Sequence, residues 1–370
     1  MEVLMRLMYI EIVIIFFIIA SQKKYTAIND HGEDQIHVQN SKFLIALYAF
    51  GMIVVSAFRS NFIDTADYRL IYARIGSSLE NVFNGSGQDV EKGWLFFNYL
   101  LNHISNDSQF MIQVTAVIVI SGSVYFLVKE STDVPFSFWI YLCLEFVNTM
   151  NGIRQIMTGV IIALLWLRWI REERRPRNDF FFVLGIVLMS TIHISALICI
   201  PVFFSSRGKF FNKWMKSIVF GSLLMFAVPS IYYMVLSRII GGSDYSQYLT
   251  ESATMGIMRF LVKIVPVVLV FFYQRNNRID ITEPSFQWIM NISIFNACCS
   301  LLSLRMVYFA RIGMYFNLFD YILIPWLIEK IFRNQARILI KTIMCMSYAF
   351  YYWYQLIAFG GYVRSFSLVL

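Results

Sequence analysis

Charge is scarce in this chain: Asp, Glu, Lys and Arg make up 15% of its 370 residues, against 58% hydrophobic, with a mean hydropathy of +0.61. A soluble fold, which carries charge on about a quarter of its residues, is excluded. Cysteine is sparse too, and Cys143, Cys199, Cys298, Cys299 and Cys345 all lie in apolar runs with no C-x-x-C spacing. That excludes a disulfide framework or a cysteine metal site. A Gly-rich phosphate loop is missing, so no nucleotide site is read from the chain. The net charge of +8 would suggest nucleic acid in a soluble protein. Here the basic residues gather in short loops between apolar runs, where they orient helices across a bilayer and imply no nucleic-acid partner.

What is present is a succession of apolar runs near the ~20 residues that a bilayer crossing takes. They predict an all-α integral membrane protein, one polytopic domain over residues 1–370. Crossings are placed at 4–20, 43–58, 109–128, 136–150, 152–170, 217–236, 256–273, 285–304, 308–328 and 338–357. Residues 1–20 resemble a signal peptide only weakly, because Glu2 and Arg6 spoil the n-region and Lys23 and Lys24 follow the apolar run. They are read as a retained first helix.

With Lys23, Lys24 and Lys42 inside, the basic loops Arg168–Arg177 and Arg207–Lys216 both fall inside only if residues 180–204 do not cross once. A re-entrant hairpin bent around Ser190–His193 satisfies this and carries His193 deep into the membrane; a single crossing against the positive-inside rule is the alternative. The count becomes about 10 to 11 transmembrane helices plus the hairpin. Two outer loops follow, 59–108 and 237–255, the second holding Gly241, Gly242, Tyr245 and Tyr248. Within the first, Glu91–Leu101 is too short to span and is placed along the outer interface.

The polar break Met150–Gln155 puts Arg154 and Gln155 at the start of a helix. A guanidinium in or near hydrocarbon costs several kcal/mol unless paired or wet, which marks a functional site. Arg59, Arg238, Arg305 and Arg311 fall at outer helix ends as well. Converging, they would bind a polyanion, since arginine pairs bidentately with phosphate. Separately, each would snorkel or pair with a loop carboxylate. The Asp30, His31, Glu33, Asp34 and His37 cluster lacks zinc-ligand spacing, and no metal is expected. The Arg171–Arg177 run is a topology determinant near anionic lipid.

Several motifs then fall in order along the chain: F-R at Phe58-Arg59, D-Y-x-x-x-Y at Asp67, Tyr68 and Tyr72, and E-x-G-W at Glu91, Gly93 and Trp94. R-Q at Arg154-Gln155, I-H-x-S-A-L-I at Ile192–Ile198 with Pro201, and A-R-I-x-x-Y-F at Ala310–Phe316 with Pro325 complete the set. Together these resemble the EpsG/Wzy-type polysaccharide polymerases of O-antigen and exopolysaccharide synthesis. One departure is that Phe62–Ala66 lacks the glycine expected before Asp67, which leaves Asp64 and Asp67 both open as the relevant acid.

The resemblance implies a GT-C-like membrane glycosyltransferase of the bacterial cytoplasmic membrane. It would move a glycan from undecaprenyl pyrophosphate to a second undecaprenyl-pyrophosphate-linked repeat unit on the outer face, without cofactor or metal, with membrane lipid and a chain-length regulator as its further partners. Arg154, Arg311, Arg305 and Arg59 would then hold the pyrophosphate. Asp67, Glu91 and His193 are the candidate bases, and Tyr68, Tyr72, Gln155 and Tyr315 the sugar contacts. A flippase of lipid-linked sugars and a membrane O-acyltransferase centred on His193 are the rivals. No paired broken helices suggest the inverted repeat of the first, and the second leaves the arginines unexplained.

Overall fold

The computed structural model describes residues 1–28, 34–84, 90–171, 175–228, 255–275 and 283–358, with single positions between 230 and 237 and between 360 and 369. Residues 238–254, including Arg238 and the glycines and tyrosines of the expected second outer loop, lie outside the described residues, as does Asp89.

The described residues are mainly helical. From the N-terminus they form α1 (Glu2–Ala20), α2 (Lys42–Ala57), α3 (Thr65–Ile75), α4 (Leu79–Asn84), α5 (Lys92–Asn102), α6 (Ser108–Glu130), α7 (Val134–Leu144), α8 (Phe146–Thr149) and α9 (Ile153–Trp169). These are followed by α10 (Pro176–Ser190), a 3-10 turn (Ile194–Ile198), α11 (Cys199–Ser206), α12 (Lys213–Ala227), α13 (Ile257–Arg275), α14 (Pro284–Ser303), α15 (Val307–Met314), α16 (Asn317–Ile331) and α17 (Asn334–Ala358). Three of them, α1, α6 and α14, are long and apolar enough to cross a membrane, and α15 with α16 make a fourth if that bent pair is one crossing. This is a membrane protein.

Three expectations change. The all-helical fold carries a hairpin, in which β1 (Lys23–Ile28) and β2 (Asp34–Gln39) pair antiparallel where a polar loop was expected. The run 136–150 stops as a helix at Leu144 and resumes as the four-residue α8, because Glu145 bonds sideways to Asn317 and Tyr321. The run 308–328 bends by 69° between α15 and α16.

Side-chain caps start the helices where the sequence changes from polar to apolar. Ser41, Asp107, Asp133 and Asn212 each accept a backbone N–H in the first turn of α2, α6, α7 and α12. Each such cap satisfies a donor that the helix itself leaves unpaired. The core is aromatic: the Trp166 ring of α9 meets Phe319 of α16 edge-on at 5.2 Å and Trp288 of α14 at 5.8 Å. The Trp288 indole N–H in turn donates to the Phe203 carbonyl at 3.0 Å, so the polar end of the ring is satisfied as the rest is buried.

The two ends of the bundle differ in chemistry. At one, Ser60 N–H donates to Ser367 O at 2.8 Å and Val369 N–H to Phe58 O at 2.7 Å, and the Met1 amino group reaches Val363 O at 3.0 Å. At the other, cations are matched to single carboxylates: Lys341 with Asp133, Arg171 with Glu130 at 3.0 Å, and Arg207 with Asp179. The last pair ties the start of α10 to the residue that follows α11. Residues 180–204 therefore turn back on themselves, with the break at Thr191–His193. α10, 15 residues long, rises about 22 Å, and the turn brings His193 beside Glu91, at the start of α5.

Candidate functional site

Four separate pieces of chain meet at this tip. Glu91 precedes α5, Gly152 and Arg154 begin α9, Asp64 precedes α3, and His193 closes the hairpin. The Glu91 carboxylate is the hub. Its Oε2 pairs with the Arg154 guanidinium, while its Oε1 lies 3.1 Å from His193 Nδ1 and accepts the Ile194 N–H at 3.0 Å. All three side chains keep some access to solvent, at 19% for Glu91, 20% for Arg154 and 13% for His193. Burial pushes the Glu91 carboxyl up, but the His193 bond, the Arg154 charge and the Ile194 N–H outweigh it and hold the group at about 2.

The E-x-G-W motif explains itself here. Gly93 N–H donates to the Thr191 carbonyl at 2.8 Å, and a β-carbon on Gly93 would collide with that same backbone carbonyl. Glycine is what lets the start of α5 dock on the hairpin turn. A Gly93→Ala variant is expected to force the two apart, at a cost of about 1–3 kcal/mol for overpacking. The thermal midpoint of the detergent-purified protein should fall, and a midpoint equal to wild type would show that the contact is dispensable. Trp94, fully buried, packs edge-on against Tyr68 at 5.7 Å, and the Arg154 guanidinium stands 6.0 Å from the Tyr68 ring centre.

Between Asp64 and Asp67, it is Asp64 that reaches this cluster. Its Oδ2 accepts the Gly152 N–H at 2.7 Å, and burial raises its carboxyl above the ordinary value against the pull of that bond and of Arg59. Gly152 has φ +66°, a left-handed start that glycine takes without penalty, so Asp64 fixes the turn from which Arg154 projects. Asp67 is exposed in the first turn of α3, outside the bond that joins Asp64 to Gly152. The missing glycine also has a structural echo. Ile63, immediately before Asp64, sits at φ 47°, where a β-branched residue costs about 1–2 kcal/mol.

The other arginines do not all converge. Arg59 is 1% exposed and donates to Ser56 O, Ser56 Oγ and Thr65 Oγ1, so it holds the end of α2 to the start of α3 and has no face for a phosphate. Arg305 donates to Phe226 O at 3.0 Å and lies over that ring, on the α14–α15 turn. Arg311 is exposed on α15, tied to the site through its backbone, whose carbonyl accepts Gln155 Nε2 at 2.5 Å. Of the expected sugar contacts, Tyr72 is fully buried and donates to Ser105 O at 2.6 Å. Gln155 and Tyr315 are buried as well, Tyr315 OH meeting Ser195 Oγ at 2.9 Å. All three side chains are engaged in bonds between chain segments.

A second polar group lies deeper. Glu145, Lys263, Asn317, Asp320 and Tyr321 are all buried and mutually bonded. The signal was in the sequence: N-x-x-D-Y puts three polar side chains on one face of an otherwise apolar helix, with lone Glu145 and Lys263 in apolar runs.

The EpsG family profile matches residues 42–368, from α2 through the last bridge to Arg59. The chain belongs to the EpsG family. No curated protein and no solved structure matches it. Membership sets it among EpsG-type, polysaccharide-polymerase-like membrane proteins. The matched stretch holds every residue of the Glu91 cluster and leaves α1 outside.

Proposed function

We propose that this EpsG-family protein is a polysaccharide polymerase of the bacterial cytoplasmic membrane. It joins oligosaccharide repeat units carried on undecaprenyl pyrophosphate at the outer face of a multi-pass domain of 10 to 11 crossings, with residues 180–204 re-entrant. The observation that carries this is the meeting of Arg154, Glu91 and His193 at one end of the bundle, opposite the end where basic residues pair singly with carboxylates. Positive charge is depleted from outer segments unless function retains it.

In the reaction the acceptor hydroxyl oxygen bonds to the anomeric carbon of the donor glycan as the bond from that carbon to the pyrophosphate oxygen breaks. Negative charge grows on the leaving pyrophosphate, and Arg154 with Arg311 stabilises it. The hydroxyl proton passes to His193. Glu91 is a poor base at about 2, but as acceptor from Nδ1–H it orients the imidazole and leaves Nε2 to take the proton. The proton then leaves with the pyrophosphate or to water. Membrane lipid surrounds the site, and a chain-length regulator would act from outside this chain.

Deleting the gene in its host and resolving the surface glycan by size tests the assignment. Glycan capped at a single repeat unit is expected. Full-length chains lacking only an acyl group would favour the O-acyltransferase, and complete loss of surface glycan the flippase.

A further inference from the structure

The pair α15–α16 turns by 69° across Tyr315 and Phe316. A break of this kind within an apolar interior leaves backbone groups outside the helical ladder, where no solvent makes up the difference. The break is gripped on both sides. Upstream, Gln155 Nε2 bonds the Arg311 carbonyl and Ser195 Oγ meets Tyr315 OH. Downstream, the first residue of α16 is Asn317. Its Nδ2 donates to Glu145 Oε2 at 2.8 Å, and its Oδ1 accepts from Lys263 Nζ at 2.7 Å and Asn296 Nδ2 at 3.2 Å. One turn on, Tyr321 OH donates to the same Glu145 oxygen at 2.7 Å, and Asp320, bonded by Ser293 and Asn296 at 2.6 Å each, lies 3.9 Å from Lys263 Nζ.

We propose that Glu145, Lys263 and Asn317 form a polar clamp that holds the α15–α16 bend and so positions Arg311 against the start of α9. These are positioning residues: none of them reaches the Glu91 cluster. The inference rests on the polymerase assignment for what Arg311 does, and on geometry alone for where Arg311 is held. Adhesion does not explain the clamp, because burying ionised groups is costly and apolar side chains of similar volume would hold the helices together at least as well. What charged hydrogen bonds add is direction. Glu145 comes from the end of α7 and Lys263 from α13, and their only common partners on α16 are Asn317 and Tyr321 among the described bonds.

The test variant is Asn317→Leu, which keeps the volume and leaves Glu145 with Tyr321 and Lys263 with Asp320. A nitroxide attached at Arg311→Cys reports local order in detergent-purified protein whether or not the protein polymerises anything. In the Asn317→Leu background its spectrum is expected to narrow, while the level of protein in the membrane holds. In polymerisation assays with Arg311 intact, KM for the lipid-linked donor should rise about tenfold with a smaller change in kcat, the scale of one hydrogen bond. Glu145→Gln retains an acceptor oxygen for Asn317 and Tyr321 without the charge, and should narrow the spectrum less than Asn317→Leu does. If Asn317→Leu fails to accumulate, Tyr321→Phe removes one of the two bonds to Glu145 and is read the same way. An unchanged nitroxide spectrum in the variant that accumulates overturns the clamp. A narrowed spectrum in a protein whose deletion leaves chain length normal upholds the clamp and overturns the polymerase instead.

Discussion

Arg154→Ala is expected to leave the protein in the membrane and reduce the surface glycan to one repeat unit. Removing one preorganised donor from a developing anion costs about 10²–10³ in kcat, and here the donor is a full charge at the start of α9. The remaining Glu91 carboxylate keeps its bonds to His193 and Ile194 N–H, so the local fold has support without Arg154. Arg154→Lys should fail almost as badly. An ammonium keeps the charge but not the planar fork that meets a carboxylate and a phosphate together. Size-resolved glycan from a deletion strain complemented with each variant gives the answer, with immunoblots of the membrane fraction as control. Polymer of normal length from the alanine variant would remove Arg154 from the site.

Glu91→Ala should do more damage, because it takes the hub from the cluster. Arg154, His193 and the Ile194 N–H would each lose a partner that is mostly shielded from water, at about 1–3 kcal/mol for an unsatisfied buried group. A lower thermal midpoint and loss of chain growth are both expected. Glu91→Gln separates the two effects, keeping an oxygen for Ile194 N–H while removing the charge that orients His193 and pairs with Arg154. The native carboxyl sits at about 2, below its ordinary 4.5. A depressed value means the ionised form is the one that folding favours, so the Glu91 contribution is fully present above about pH 4.5 and fades as pH falls toward 2. The difference in thermal midpoint between wild type and Glu91→Gln should therefore be constant from pH 7 to about 5 and shrink below that. A difference that grows on acidification would mean that Glu91 is held neutral in the fold, and His193 would lose its orienting partner.

Asp64 and Gly93 extend the same logic to residues that act on the chain itself. Asp64 sets the turn before Arg154, and Gly93 allows α5 to reach the hairpin. Both act by bringing chain segments distant in sequence to within hydrogen-bond range.

Much of this protein was legible from composition and order of residues. The scarcity of charge identified a membrane protein, the polar break at Met150–Gln155 marked Arg154, and the spaced motifs pointed to the family that residues 42–368 match. These follow from local properties: hydropathy over some twenty residues and residue types at fixed offsets. Tertiary structure alone decided which polar groups share a site. Arg59 and Tyr72 carry the same motif signal as Arg154 and Glu91, yet they are buried in their own contacts, while Asp64 rather than Asp67 faces the cluster. Whether a polar side chain is spent inside the fold or left partly exposed depends on partners far away in sequence, as with Glu91 and His193 across 102 positions, and no local pattern encodes that distance.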